Sequence, residues 1–470
     1  MQGARTGIAG GAVPLGGHVM SLSRMNRILG VREDGGEFIL GAQPGVLLQE
    51  VDDFLASSDT APVPHRLFLP PDPTERSASL GGMAATNASG ARSFRYGAMR
   101  RWIRSLRVVL PDGSTLALRR GPADGSGGGP RAHGRSFRLE TSSGRVIEGQ
   151  LPDYRMPSVK NAAGYHARGD MELIDLFVGS EGTLGVITEI EVALEREPAA
   201  IWGIVAFLPD DGSVVRFVDA VRGDRGERGR GPLAAVEYFD GRALQFLERQ
   251  RRSVEAFASL PPLGDRAGSA VYLEYHGGSE PAVEEAVGRM GDALARCGGR
   301  DDDTWLATRP AEVARLRDFR HALPEAVNLA IDERRRIDPS LAKLGTDMAV
   351  PDPQLGLILS LYDGDLGAAG LAHVKFGHIG DSHVHVNIIP ESRRDYDAGR
   401  ELYRRWAETV VRLGGTISAE HGVGKLKREL LAMMYGDAGI EGMREVKRGF
   451  DPGYLLGRGT MFDDRGRAPR

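Results

Sequence analysis

Three histidines fall within eight positions of a 470-residue chain that holds only eleven. They sit in the run Phe376-Gly377-His378-Ile379-Gly380-Asp381-Ser382-His383-Val384-His385-Val386-Asn387. If the Gly380–Asp381 turn closes a hairpin, His378 faces His383 and lies diagonal to His385, because side chains two apart on a strand share a face. All three imidazoles could then converge. Further on, Ile417-Ser418-Ala419-Glu420-His421-Gly422-Val423-Gly424 places an acid and a base on a loop after a short strand. Histidine with carboxylate is a ligand set for a divalent first-row metal, Zn, Mn or Fe(II). The plainer alternative is a polar strand face, or imidazoles satisfied by backbone groups.

The scaffold that must hold these side chains is a soluble-type globular one. Hydrophobic residues make up 41% and charged residues 26%, which is ordinary. The net charge of −4 gives no global field for nucleic acid or anionic membrane. Cys297 is the sole cysteine, which excludes an intramolecular disulfide and any Cys-based zinc or iron–sulfur site and fits a cytoplasmic setting. The longest apolar runs, such as Ile201–Leu208, fall far short of the ~20 residues that span a bilayer. The 64 glycines are about twice the usual share, without a collagen period. Loops that bring backbone close to a ligand are one home for them.

Patterning divides the chain in two. In the first part, Ile103–Leu110 and Thr115–Leu118 read as strands around a Pro-Asp-Gly turn. Residues 119–150, with Gly-Pro-Ala-Asp-Gly-Ser-Gly-Gly-Gly, read as a flexible insertion. Leu173–Val178 and Gly185–Leu194 read as apolar strands. After Pro198, strands at 202–208, 233–239 and 270–275 alternate with helices at 213–221, 242–250 and 282–296. That alternation predicts an α+β unit of the split βαβ type. A long amphipathic helix from about 310 to 335, with Pro324 as a point of potential interruption, precedes the histidine hairpin; a helix at 393–413, a strand at 416–418 and terminal helices follow it.

Three glycine loops punctuate this pattern: Gly3-Ala4-Arg5-Thr6-Gly7-Ile8-Ala9-Gly10-Gly11, then Leu80-Gly81-Gly82-Met83-Ala84-Ala85-Thr86-Asn87-Ala88-Ser89-Gly90, then Gly179-Ser180-Glu181-Gly182-Thr183-Leu184-Gly185. Glycine lets backbone N–H groups approach a pyrophosphate. In this order, with Pro70–Pro73, Tyr96-Gly97 and Asn161-Ala162-Ala163-Gly164-Tyr165, they resemble the FAD-linked oxidase family. Its members include D-lactate dehydrogenase, the glycolate oxidase D subunit and D-2-hydroxyglutarate dehydrogenase. The resemblance implies a vanillyl-alcohol-oxidase-type FAD-binding domain over 1–195. It further implies an α+β cap, or substrate, domain with an antiparallel sheet over 196–470, with 416–470 returning toward the flavin. It also implies a small lobe ahead of the first glycine loop; the chain opens inside that loop, so the expected FAD domain is N-terminally truncated.

By position, the resemblance assigns Gly3, Thr6, Gly7, Gly10 and Gly11 to the pyrophosphate. Ser79, Gly81, Gly82, Asn87, Gly90, Tyr96 and Gly97 would hold pyrophosphate and flavin, and Glu181, Gly182 and Ile187 the adenine side. It makes His378, His385 and Glu420 ligands of a divalent metal (Zn, Mn or Fe), His421 the catalytic base, and Arg320 the clamp on a substrate carboxylate. The chain departs from the family pattern at Arg5 (usually Gly), His383 (usually Asn) and Ala419 (usually Gly). The dicarboxylate enzymes carry a Lys where this chain has Gly345, although Lys343 is nearby. The role implied for His383 is a fourth ligand, an orienting residue or none.

A metal has a physical reason to be there. An alcohol has a pKa of roughly 16 and His about 6.5, so direct proton transfer costs on the order of 12 kcal/mol. A divalent metal lowers the pKa of bound water to about 7 and should act similarly on a hydroxyl. The expected activity is oxidation of a D-2-hydroxy acid, of D-lactate or glycolate type, to the 2-oxo acid with hydride passing to FAD. A quinone, a cytochrome or an electron-transfer protein would then take the electrons. A peripheral membrane association and a homodimer are both compatible with this; a transmembrane segment and nucleic acid are not expected. The competing readings are a non-redox relative, such as the ether-lipid alkyl transferases, and a flavin-free relative acting as a subunit or binding protein.

Overall fold

A computed structural model of the chain describes residues 1–57, 66–121, 128–226, 229, 231–263 and 268–463. The opening segment has little regular structure and is tied by a bridge between Gln2 and Ser21. The elements of the first half are β1 (Ile28–Asp34), β2 (Glu37–Ala42), α1 (Leu48–Ala56), β3 (Leu67–Phe68), α2 (Leu80–Thr86) and α3 (Ser93–Tyr96). Then come β4 (Ile103–Val109), β5 (Thr115–Arg119), β6 (Ser136–Glu140), β7 (Val146–Gln150), α4 (Ile174–Phe177) and β8 (Val186–Arg196). A six-stranded sheet forms in the order β1-β2-β8-β4-β5, with β3 attached to β8. Its pairs are antiparallel.

The second half contains β9 (Ala200–Leu208), α5 (Asp211–Val221), β10 (Leu233–Phe239), α6 (Gly241–Ser253), β11 (Ser269–Gly277), α7 (Glu280–Arg296) and β12 (Trp305–Ala307). It continues with α8 (Pro310–Ile337), β13 (Leu344–Gly345), α9 (Leu355–Ala369), β14 (His373–Gly377), β15 (His385–Ile388), α10 (Arg393–Arg412) and α11 (Arg428–Phe450). Its seven-stranded sheet runs β12-β9-β11-β10-β14-β15-β13. The pairs are again antiparallel. The chain is therefore α+β.

The near-continuous apolar strands β10 and β11 are buried on both faces, which a sheet sandwiched between helices requires. Alternate residues divide between two cores. Val236, Tyr238, Val271, Leu273 and Tyr275 pack with Val214, Phe217 and Val218 of α5 and Val283 and Met290 of α7. Phe239, Ala270 and Tyr272 pack with Leu244 and Leu247 of α6 and Phe319 and Leu323 of α8. Three of the charged groups that matter below, Glu237, Arg320 and His378, arise from the rim of this sandwich.

Three expectations are corrected and one open point is settled. Residues 136–150 are not a flexible loop but the hairpin β6–β7; 122–127 of the expected insertion lie outside the described residues. Phe-Arg-Leu-Glu and Val-Ile-Glu-Gly alternate at period 2, burying Phe137, Leu139 and Ile147, and the glycine run before them obscured that signal. Residues 173–178 form the short helix α4, since a brief apolar run does not separate strand from buried helix. Thr416 makes a single bridge to Ala349 rather than a strand. Helix α8 continues through Pro324. Among the described residues no helix is long and apolar enough to cross a membrane.

The hairpin docks on α11, where Phe137 stacks on Phe450 at 5.9 Å between centroids. Phe137→Ala should destabilise the N-terminal unit by about 3–5 kcal/mol through the cavity it leaves, read as a lower thermal midpoint. A detached insertion would leave the midpoint unmoved.

Candidate active site

The β14–β15 hairpin pairs Phe376 with His385. Continuing that register past β14 sets His378 opposite His383, and their ring centroids are 5.2 Å apart. His383 is 4.4 Å from His385 and His378 is 5.7 Å from it. The three rings therefore converge. Gly377 makes the approach possible: its φ is +127°, and a Cβ there would stand 2.8 Å from His385 Cδ2.

Two of the rings have a fixed tautomer. His385 Nδ1 is 2.6 Å from the Thr346 carbonyl oxygen, which can only accept. His378 Nδ1 is 2.7 Å from Glu237 Oε1. Burial alone would raise the Glu237 carboxyl, but Arg320 and His378 outweigh it and hold it at about 2, so it too accepts. In the neutral rings Nε2 is therefore the nitrogen without hydrogen, and both Nε2 atoms face Glu420 Oε1, at 3.1 and 3.2 Å. Donors bonded to a common ion at about 2.1 Å stand roughly 3.0–3.4 Å apart. The ligand atoms of His378, His383, His385 and Glu420 all lie within 4.8 Å of one another. These residues fit a divalent cation by separation, tautomer and charge. The Nδ1–acceptor bonds are the outer supports that metal-binding histidines normally have.

Glu420 is anchored from the other half of the chain. Lys160 Nζ donates to its Oε2 at 2.7 Å, and Ser89 Oγ does so at 3.3 Å. Burial would raise this carboxyl; His378 and Lys160 overcome that and hold it well below the carboxylate range. The loop that carries it is built on Asp347. That carboxylate accepts from the Glu420 and His421 amides (3.2 and 3.1 Å), Ser418 Oγ (2.8 Å) and Lys427 Nζ (2.6 Å). Against the penalty of burial, His421 and Lys427 keep it far below the ordinary Asp value. His421 is the most open of the cluster. Its Nδ1 is 3.4 Å from Asp347 Oδ2 and its Nε2 3.5 Å from Glu420 Oε1.

Two cavities meet here. A larger one of about 440 Å³ is lined by Gly3, Thr6, Gly7, Gly11, Ser79, Gly81, Gly82, Gly90, Glu181, Gly182 and Ile187. A Cβ at Gly7 would meet nothing within 4 Å, so the backbone there opens onto the cavity. A smaller one of about 160 Å³ is lined by Arg320, Lys343, Asn387, Glu237 and His385. His378, Glu420 and His421 belong to the walls of both. The small cavity offers two cations and one unused donor. Arg320 is buried, with Nε on Glu237 Oε2 at 2.8 Å. Burial lowers the Lys343 ammonium pKa. Asn387 Nδ2 is buried without a hydrogen-bond partner.

Four positions expected at the cofactor are outside the lining of the larger cavity. Gly10 turns toward Leu426, 3.4 Å from where its Cβ would be. Asn87 caps α2 in the left-handed region and accepts the Arg100 amide at 2.9 Å. Tyr96 is buried against Phe68 and Trp102 with its hydroxyl 2.7 Å from His276 Nδ1. Gly97 ends α3 at φ 75°. These are packing and turn residues, which share the loop's composition without sharing its surface. Glu181 does line the cavity, but its carboxylate accepts the Val423 and Gly424 amides at 2.7 Å each. Burial, partly offset by those bonds, pushes it up to about 7.

Sequence reasoning did not single out Lys160, Glu237, Asp347 or Asn387 for the site. Asn387 had a signal, since it shares a strand face with His385. The other three converge only through the tertiary fold.

Asp347→Ala should strip Lys427 of its carboxylate partner and release the Glu420 and His421 amides. Breaking a buried pair in this way costs about 3–5 kcal/mol, and hydrogen exchange at Glu420 and His421 should rise. A depressed pKa means this support is complete above the ordinary Asp value of about 3.9 and is lost only as pH falls below it. Unchanged exchange would show that Asp347 does not hold the loop.

Known proteins place this geometry in a family. The chain matches the C-terminal domain of FAD linked oxidases over residues 198–461 and an FAD binding domain over residues 1–119. It is 30% identical to a probable mitochondrial D-lactate dehydrogenase of Danio rerio, covering 98% of this chain and 78% of that protein. It is 27% identical to a D-2-hydroxyglutarate dehydrogenase of Stutzerimonas stutzeri, covering 98% and 85%. Among solved structures, an alkyldihydroxyacetonephosphate synthase shares the fold with a TM-score of 0.61, at 17% identity over 97% of this chain and 70% of that one. With both of its halves matched and a glycine-lined cavity joined to a histidine–carboxylate cluster, the chain belongs to the FAD-linked oxidases.

Proposed function

We propose that this protein oxidises a D-2-hydroxy acid to the 2-oxo acid, with FAD in the larger cavity and the acid in the smaller. The observation that carries the reading is the shared wall: His378, Glu420 and His421 face both cavities. A group held in one can therefore react with a group held in the other. The relatives' names support the hydroxy-acid class.

A bound flavin supplies a hydride acceptor, and a divalent cation supplies a Lewis acid that acidifies a coordinated hydroxyl. His378, His385 and Glu420 would hold the cation. Gly3, Thr6, Gly7, Gly11, Ser79, Gly81, Gly82 and Gly90 would face the flavin, with Glu181, Gly182 and Ile187 further along the same wall. Arg320 presents a planar guanidinium to the small cavity; Glu237 accepts from its Nε and His321 Nε2 from its Nη1 at 2.7 Å, which would leave Nη2 to a substrate carboxylate. Asn387 Nδ2 offers a second donor. His421 takes the hydroxyl proton at Nε2, because Nδ1 faces the Asp347 carboxylate and that pairing favours hydrogen on Nδ1.

The test is anaerobic bleaching of the bound flavin by D-lactate, glycolate and D-2-hydroxyglutarate. His421→Ala should keep its flavin and slow bleaching by about 10²–10⁴-fold, the usual worth of a general base. Lys343→Ala separates the acids: it should leave D-lactate within a few-fold, and weaken D-2-hydroxyglutarate alone if that cation meets a second carboxylate. Failure of every 2-hydroxy acid to bleach the wild-type flavin would refute the proposal.

A further inference from the structure

His383 is the one ring of the cluster whose nitrogens are not accounted for. It is fully buried. Its Nε2 stands 3.1 Å from Asp347 Oδ1, yet neither ring nitrogen makes a hydrogen bond. Asp347 is already engaged by Ser418, Lys427 and two loop amides. A buried polar atom left without a partner costs about 1–3 kcal/mol. Nε2 has only this off-geometry ion-pair contact with Asp347 and Nδ1 has no partner, a penalty that an apolar residue would avoid, so the imidazole has room for a further partner. The ligand-type atoms of His378, His383, His385 and Glu420 are mutually within 4.8 Å. Main-chain contact holds the ring in place: the His383 amide donates to the His378 carbonyl at 3.2 Å, and the chain then turns into β15.

We infer that His383 is a fourth protein ligand, so that the divalent cation is held by three imidazoles and one carboxylate. The inference rests on the reading that His378, His385 and Glu420 form a metal site, and adds a donor where the family pattern has Asn. Its chemical consequence is a choice of ion. Four protein donors close a tetrahedral zinc site. An ion that also binds substrate must therefore accept more than four ligands, which favours Mn(II) or Fe(II) over Zn(II). His383 acts through the bound ion and needs no contact with the acid.

Cobalt(II) is the probe. Protein stripped with a chelator is loaded with one equivalent, and X-ray absorption at the cobalt edge counts coordinated imidazoles. Three are expected in the wild type and two in His383→Asn, with cobalt affinity falling at least about tenfold. Two imidazoles in the wild type would overturn the assignment, whatever the variants do. His383→Ala gives the same comparison if the Asn variant folds poorly. The underlying site fails separately: wild-type protein that binds no cobalt, or His378→Ala binding as tightly as wild type, would refute the three-ligand reading itself and this inference with it.

Discussion

The site depends on one carboxylate that must stay ionised while buried. Glu420 lies where the two halves of the chain meet, and desolvating a carboxylate costs several kcal/mol after relaxation. Its compensation comes from both sides. Lys160 and Ser89 of the N-terminal half take Oε2, and His378 and His385 of the β14–β15 hairpin face Oε1. Neither half can satisfy Glu420 alone, so closing the interface and assembling the cluster are the same event. The charge also decides what the cluster can hold. Glu237 and Glu420 outweigh burial and raise His378 to about 9, which is the signature of a site that favours positive charge between them, whether a proton or a metal ion.

Two further carboxylates extend this constraint outward. Asp347 folds the 416–424 loop by collecting its amides, and Glu181 clamps the next turn through Val423 and Gly424. The loop carrying Glu420 and His421 is thus held at both ends by buried acids, one from each half of the chain. Glu237 does the corresponding work on the sheet, spacing Arg320 from His378 through its two oxygens. The proposed clamp for an anion and the proposed ligand for a cation would thereby be kept apart by a single side chain. This arrangement explains why one charged residue, Glu237, sits in a strand, β10, that is otherwise apolar throughout.

Much of this was legible in the chain itself. The hairpin, its register and the convergence of three histidines followed from a two-residue period and a Gly-Asp turn. The α+β alternation from β9 to α7 was equally plain, whereas β12 and β13, three and two residues long, and helix α9 gave no reading. Illegible were the residues whose meaning is tertiary. Lys160 precedes Glu420 by 260 positions, and no local pattern distinguishes it from a surface lysine. The hairpin at 136–150 was hidden by the glycine tract beside it, and α4 by its brevity.

The glycine surplus is the instructive case, because one residue type serves two masters. Gly7 opens onto the cavity, and a Cβ there meets nothing. Gly81 and Gly90 also line it, yet a Cβ would come within 2.5 Å of Pro44 and 2.0 Å of the Asp72 carbonyl. Gly424, at φ +53°, lets the loop after His421 lie against Ala9, 2.0 Å from where its Cβ would be. A glycine motif therefore encodes both room for a ligand and close contact between the loops that surround it. Substituting the first kind would encroach on the ligand, whereas substituting the second would spread the loops and with them the carboxylates they position. Composition alone cannot separate the two: Gly10 and Gly97, both expected at the cofactor, take positive-φ turns outside the lining of the larger cavity.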